Sequence, residues 1–131
     1  MTRTPVNPWE WSLQFGFNQG EIVQGEKRTL YCAGQTALDE NAAPQHAGDI
    51  RAQLNLSLDN LEAVLKEADM TLSNVVRLTI LTTDVDAMIQ NFDALVSRLE
   101  AANVKPPQAL IGVARLAFPE LMVEVEATAV D

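Results

Sequence analysis

The sequence predicts an α+β fold: a mixed β-sheet with two helices packed on one of its faces, in the order β-β-α-β-α-β-β. Three observations carry this. Two long segments place apolar residues on a single helical stripe. Short β-branched or alternating segments lie before, between and after them. A helix with one apolar stripe must bury it, and a sheet face is the surface these strands offer.

The elements follow in order. Residues 1–14 read as an extended N-terminal arm, because Pro5 and Pro8 disfavour a helix. Phe15 and Phe17 alternate with polar residues, which predicts the entrance to a first strand that continues through Ile22 and Val23. Gln24-Gly25-Glu26-Lys27 reads as a hairpin turn into a second strand, Thr29 to Ala33, ending at Gly34. Asp49 is a candidate N-cap, its carboxylate accepting from otherwise orphaned backbone N–H groups. Behind it Ile50, Leu54, Leu58, Leu61, Leu65 and Ala68 form one stripe. Val75 to Leu81 is short and β-branched, hence a strand. Thr83-Asp84 caps a second helix with the stripe Val85, Met88, Ile89, Phe92, Leu95, Val96 and Leu99, stopped by Pro106 and Pro107. A strand from Gln108 to Leu116 then turns at Phe118-Pro119 into Leu121–Val130, where Leu121, Val123, Val125, Ala127 and Ala129 alternate with Met122, Glu124, Glu126, Thr128 and Val130.

The chain has 131 residues, enough for one domain with one core. Nine basic against eighteen acidic residues give a net charge of −9, so broad surfaces for nucleic acid or anionic membranes are disfavoured. Cys32 is the single cysteine, which leaves no intrachain disulfide and no cysteine-rich zinc site. The N-terminus lacks a signal-peptide pattern, and no apolar run approaches the ~20 residues of a membrane span. A cytoplasmic protein is the expectation.

Strand residues of both parities are often apolar, with Val75 and Leu81 against Val76, Leu78 and Ile80. The two helices cover one sheet face. Nothing else in the chain covers the other, so burial against further copies of the same sheet is the simplest solution.

Several segments together resemble one family. TLYCAGQTALD, from Thr29, is similar to a strand-to-loop signature in which Ser-Gly-Gln precedes an Asp-containing turn. Asp49 to Asn60, with Gln53 and the Asp59-Asn60-Leu61 run, resembles that family's first helix. VVRLTILTTDVD resembles its central strand, and VARL followed by VEVEATAV its C-terminal hairpin. The family is YjgF/RidA, and the match runs over residues 15–130. The resemblance implies a chorismate-mutase-like fold and a homotrimer. It implies intersubunit clefts in which reactive enamines and imines are hydrolysed to 2-oxo acids and ammonia. It implies no metal and no organic cofactor.

Carried over by position, the family's serine falls on Ala33, followed by Gly34. Its tyrosine falls on Phe17, although the loop after it is longer here. Its substrate-carboxylate arginine falls on Gln108, its backbone contact on Leu110, and its water-positioning glutamate on Glu124. Arginine clamps a carboxylate with two parallel charge-assisted bonds. Gln108 is neutral, so an anionic imino acid should bind poorly. Arg115 is no substitute: seven residues along the predicted strand it is roughly 23 Å away and of opposite parity. Arg77, on another strand, stays open. If Leu116 pairs near Leu121, Glu124 lies opposite about Val113 and roughly 16 Å from Gln108. The two would then share a ligand only across a subunit boundary.

Each candidate has a plainer reading. Glu124 is a solvated or ion-paired strand carboxylate, and Gln108 a strand-start residue in water. His46 lies in a loop with no partner nearby in sequence. Cys32 is a packing residue, having no adjacent basic group to lower its pKa. Trp9 and Trp11 line a cleft or pack at an interface. Two functions remain open: a hydrolase with altered specificity that acts on enamines or imines, and a small-molecule binding protein of the same fold. Endoribonuclease activity is disfavoured by the charge and the lone loop histidine.

Overall fold

The computed structural model describes residues 1–131 and gives six strands and three α-helices. Strands β1 (Thr2–Val6) and β2 (Gly20–Gln24) form a separate antiparallel ribbon. Strands β3 (Thr29–Thr36), β4 (Val75–Thr82), β5 (Gln108–Gly112) and β6 (Val123–Val130) form the main sheet in the order β3-β6-β4-β5. Helices α1 (Ile50–Glu67), α2 (Val85–Gln90) and α3 (Phe92–Ala101) cover one face of that sheet.

Helix α1 begins where the Asp49 carboxylate accepts the Ala52 N–H at 3.0 Å. Its stripe is the centre of the core: Leu54, Leu58, Leu61 and Leu65 are fully buried against Val75, Leu78 and Ile80 of β4 and the odd-numbered positions of β6. Burial of each such leucine contributes about 1.5–3 kcal/mol. Beside this stripe, two amide side chains are used as ties. Gln53, fully buried, donates to the Glu120 carbonyl at 2.8 Å and accepts the Met122 N–H at 2.7 Å. Asn60, seven residues on, donates to the carbonyls of Thr36 and Leu38 at 2.9 and 3.0 Å. The helix thus fixes both the end of β3 and the approach to β6.

Four expectations from the sequence are corrected. The arm is not extended throughout. Thr2–Val6 is a strand, with Pro5 tolerated because the ribbon is two strands wide, and Trp11–Phe15 is a 3-10 turn. Arg3 docks the ribbon by donating to the Ser73 and Val75 carbonyls and pairing with Glu21. Second, β2 and β3 do not form a hairpin, since β2 pairs with β1 and β3 with β6. Third, the C-terminal segments do not pair with each other. β5 runs parallel to β4 on its outer side, while β6 inserts antiparallel between β3 and β4. β5 also stops at Gly112, which leaves Arg115 outside the strand. Fourth, the second predicted helix is two. Asn91 ends α2 and caps α3 with a non-helical backbone, so the predicted stripe is split: Met88 of α2 and Leu95 and Leu99 of α3 are buried, while Val85 and Ile89 of α2 are exposed.

Candidate functional site

The main sheet has a covered face and an open one. On β6, Val123, Val125, Ala127 and Ala129 face the helices, so Glu124, Glu126 and Thr128 face out. The register places Leu81 of β4 beside Glu124 and Thr79 beside Glu126. Tyr31 on β3 and Ile111 on β5 extend this face, 80% and 45% exposed. No element of this chain lies over it.

Glu124 is brought to Gly34 by the pairing of β6 with β3. Between Cys32 and Gln35 the ladder advances three residues on β3 against two on β6, so Ala33 and Gly34 form a bulge. The Glu124 carboxyl fills the space that a side chain at position 34 would occupy: a Cβ there would lie 2.6 Å from Cδ and 2.8 Å from Oε2. Only glycine allows this approach. Partial burial against the β3 bulge raises the Glu124 carboxyl above its ordinary pKa, and the charge of neighbouring Glu126 adds to the shift. Ala33, at the serine position, has an exposed side chain, and its carbonyl accepts the Gln35 side-chain amide at 3.2 Å.

A second group of candidates lies at β5, the opposite edge of the sheet. Gln108 pairs with Leu78 and Leu110 with Ile80, which puts both side chains on the covered face. In this parallel ladder the Leu78 N–H donates to the carbonyl of Pro107 and the Val113 N–H to that of Thr82. The residues between alternate, so the backbone N–H and C=O of Gln108 and Leu110 point away from the sheet along a free edge. Both amide atoms of the Gln108 side chain are buried without a hydrogen-bond partner. Such groups are uncommon in folded chains, and each costs about 1–3 kcal/mol.

Phe17 belongs to the same region. The next residue, Asn18, donates its N–H to the Lys105 carbonyl at 2.9 Å, which fastens this loop to the approach to β5. The Phe17 ring meets Trp11 edge-on at 5.9 Å between centroids, and Trp11 meets Phe15 in the same manner at 6.4 Å. Trp11 is 53% exposed.

Gln108 and Glu124 therefore lie on opposite faces and on the two strands flanking β4. Two strand spacings across and three residues along separate them by about 14 Å. A hairpin had suggested a similar separation by a different route; the true cause is that β4 stands between them. Arg77 is on the open face opposite Thr128, and Arg115 donates to the Leu116 carbonyl. Burial raises the Cys32 thiol pKa, which disfavours a thiolate. His46 is exposed in a loop with positive φ. Gln53 and Asn60 hold the backbone on either side of the site, Gln53 at Met122 and Asn60 at Thr36. Their signal in the sequence is two amides, seven residues apart, alongside an apolar stripe.

A mixed sheet covered on one side, with a glutamate laid over a bulge glycine and an unpaired strand edge, defines a class of small α+β domains. The chain belongs to the family described as endoribonuclease L-PSP, which matches residues 15–131 and is the YjgF/RidA family of the sequence motifs. A solved structure of a conserved Rid-family protein from Yersinia pestis is similar over 100% of both chains, with 34% identity and a TM-score of 0.86. The mitochondrial protein mmf2 of Schizosaccharomyces pombe is 33% identical over 87 residues, 66% of this chain and 64% of that one. The 2-iminobutanoate/2-iminopropanoate deaminase of Rattus norvegicus is 32% identical over 70 residues, 53% of this chain and 49% of that one. The matches thus span 64% and 49% of the lengths of these two relatives. No helix is long and apolar enough to cross a membrane.

Proposed function

We propose that the chain is a small-molecule hydrolase of the enamine or imine deaminase type, working in clefts between the subunits of a homotrimer. The observation that carries this reading is the Glu124 carboxyl, partly buried over Gly34 with a raised pKa. A carboxyl tuned toward neutrality suits a group that takes and returns a proton. In this scheme Glu124 orients a water molecule and accepts one of its protons as the oxygen attacks the imine carbon. That proton passes to the nitrogen to give a carbinolamine; the hydroxyl proton then moves to the same nitrogen by way of Glu124, and the C–N bond breaks to release ammonia as the carbonyl forms. Backbone groups at Gly34 and at the β5 edge hold the reacting carbon and nitrogen.

The separation of Gln108 from Glu124 supports completion of each cleft by a neighbour, which supplies the β5 edge to its partner's Gly34–Glu124 corner. The open sheet face supports the same assembly. The name of the rat relative supports the reaction class. Gln108 in place of arginine favours a substrate other than an anionic imino acid, and it also favours the second reading, a binding protein without chemistry. The net charge weighs against RNA as substrate.

Glu124→Gln keeps the shape and removes the charge. With the trimer intact by light scattering, turnover of a neutral imine should fall about tenfold or more. Unchanged turnover would make Glu124 structural and remove the catalytic reading. A monomer at micromolar concentration would remove the shared cleft.

A further inference from the structure

We infer that the half-site at the start of β5 selects a neutral ligand whose primary amide or lactam edge pairs with Gln108 and whose flat or apolar part lies on Trp11. This rests on the reading of the cleft as a small-molecule site and names its substrate class.

The amide of Gln108 has neither its donor nor its acceptor satisfied. It presents an N–H and a C=O along one edge, and the group that satisfies both is another N–H beside a C=O. A carboxylate satisfies the donor alone and sets its own lone pairs against Oε1. The β5 edge repeats the pattern two residues on, where Leu110 directs its backbone N–H and C=O outward. Within the single chain the Gln108 amide is shut off from solvent. It sits on an edge strand in a half-buried residue, so turning outward toward a partner relieves a standing penalty.

The second observation is independent. Trp11, Phe15 and Phe17 form a continuous aromatic wall, and a hydrogen bond from Asn18, the residue after Phe17, ties its end to Lys105, three residues before β5. Exposed aromatic faces of this kind accept planar or apolar groups. On the face that Gln108 occupies, cationic help is distant or engaged: Arg3 is paired with Glu21, Lys105 is three residues upstream, about 10 Å along extended chain, and Arg77, next to the Leu78 that pairs with Gln108, points to the opposite face.

The test compares ligands of equal shape that differ only in this edge: benzamide against benzoate, and pyruvamide against pyruvate. Binding to the assembled protein is measured by calorimetry, with no chemistry required. Each amide should bind about tenfold or more tightly than its acid. Gln108→Leu should abolish that preference, and Trp11→Ala should weaken benzamide more than pyruvamide. An acid that binds as well as its amide would overturn the proposal, as would failure of either amide to saturate at millimolar concentration. A preference that survives Gln108→Leu would overturn it too. The wild-type comparison decides even if a variant fails to fold. Loss of turnover in Glu124→Gln with amide binding retained separates this inference from the catalytic reading.

Discussion

The carboxyl of Glu124 occupies the place of the side chain that Gly34 lacks, so the two residues form a single unit across the β3–β6 ladder. The atoms in conflict with any larger residue are the mobile end of a glutamate and not backbone. Gly34→Ala should therefore fold, with only a few degrees' change in melting temperature, while the displaced carboxyl lowers turnover about tenfold or more. Circular dichroism melting and a neutral-imine assay on one preparation would check both halves.

Glu126 raises the pKa of Glu124 by charge repulsion, after burial. Glu126→Gln should move the acid limb of the pH–rate profile to lower pH. The stability effect has a definite sign. A carboxyl whose folded pKa is raised holds its proton longer in the folded state, so its contribution to stability falls as pH rises from the unfolded value through the folded one. The melting temperature of Glu124→Gln should thus gain on that of the wild type across this window. Parallel melts from acid to neutral pH would measure the gap.

Gln53 satisfies the Met122 N–H and the Glu120 carbonyl from inside α1. Gln53→Leu fits the apolar stripe but leaves both backbone groups without their partner, a loss of about 2–4 kcal/mol. Urea unfolding should show it as a lower midpoint with unchanged slope. Turnover should fall as well, because the same hydrogen bonds fix the start of β6 two residues before Glu124.

At Gln108 the sign reverses. Its amide is buried with no partner in the chain, so Gln108→Leu should be neutral or stabilising by about 1 kcal/mol. A clear loss of stability in the assembled protein would mean that a neighbouring subunit already satisfies the amide. Denaturant midpoints at two protein concentrations would separate the cases.

The elements that could be read in the sequence were those whose signal is local. The leucine stripe of α1, its Asp49 cap and the alternation of β6 depend on residues within a few positions of one another. Pairing partners do not. The Phe118-Pro119 turn suggested a hairpin, yet β6 slots between β3 and β4, strands formed more than forty residues earlier in the chain. A period-2 pattern states which face is buried and is silent on who lies alongside. Strand β1 was hidden by Pro5, which a central strand would have rejected and a two-stranded ribbon admits. Glu124, Gly34 and Gln108 were found through family resemblance. Their arrangement on opposite faces needed the β4–β5 register.

The unpaired edge of β5 has a further consequence. A row of free N–H and C=O groups is a template for another strand, and exposed edges are where sheets join into aggregates. Here that hazard is contained by brevity: two prolines precede the strand, and it ends after five residues at Gly112. An extended partner finds too few rungs to hold.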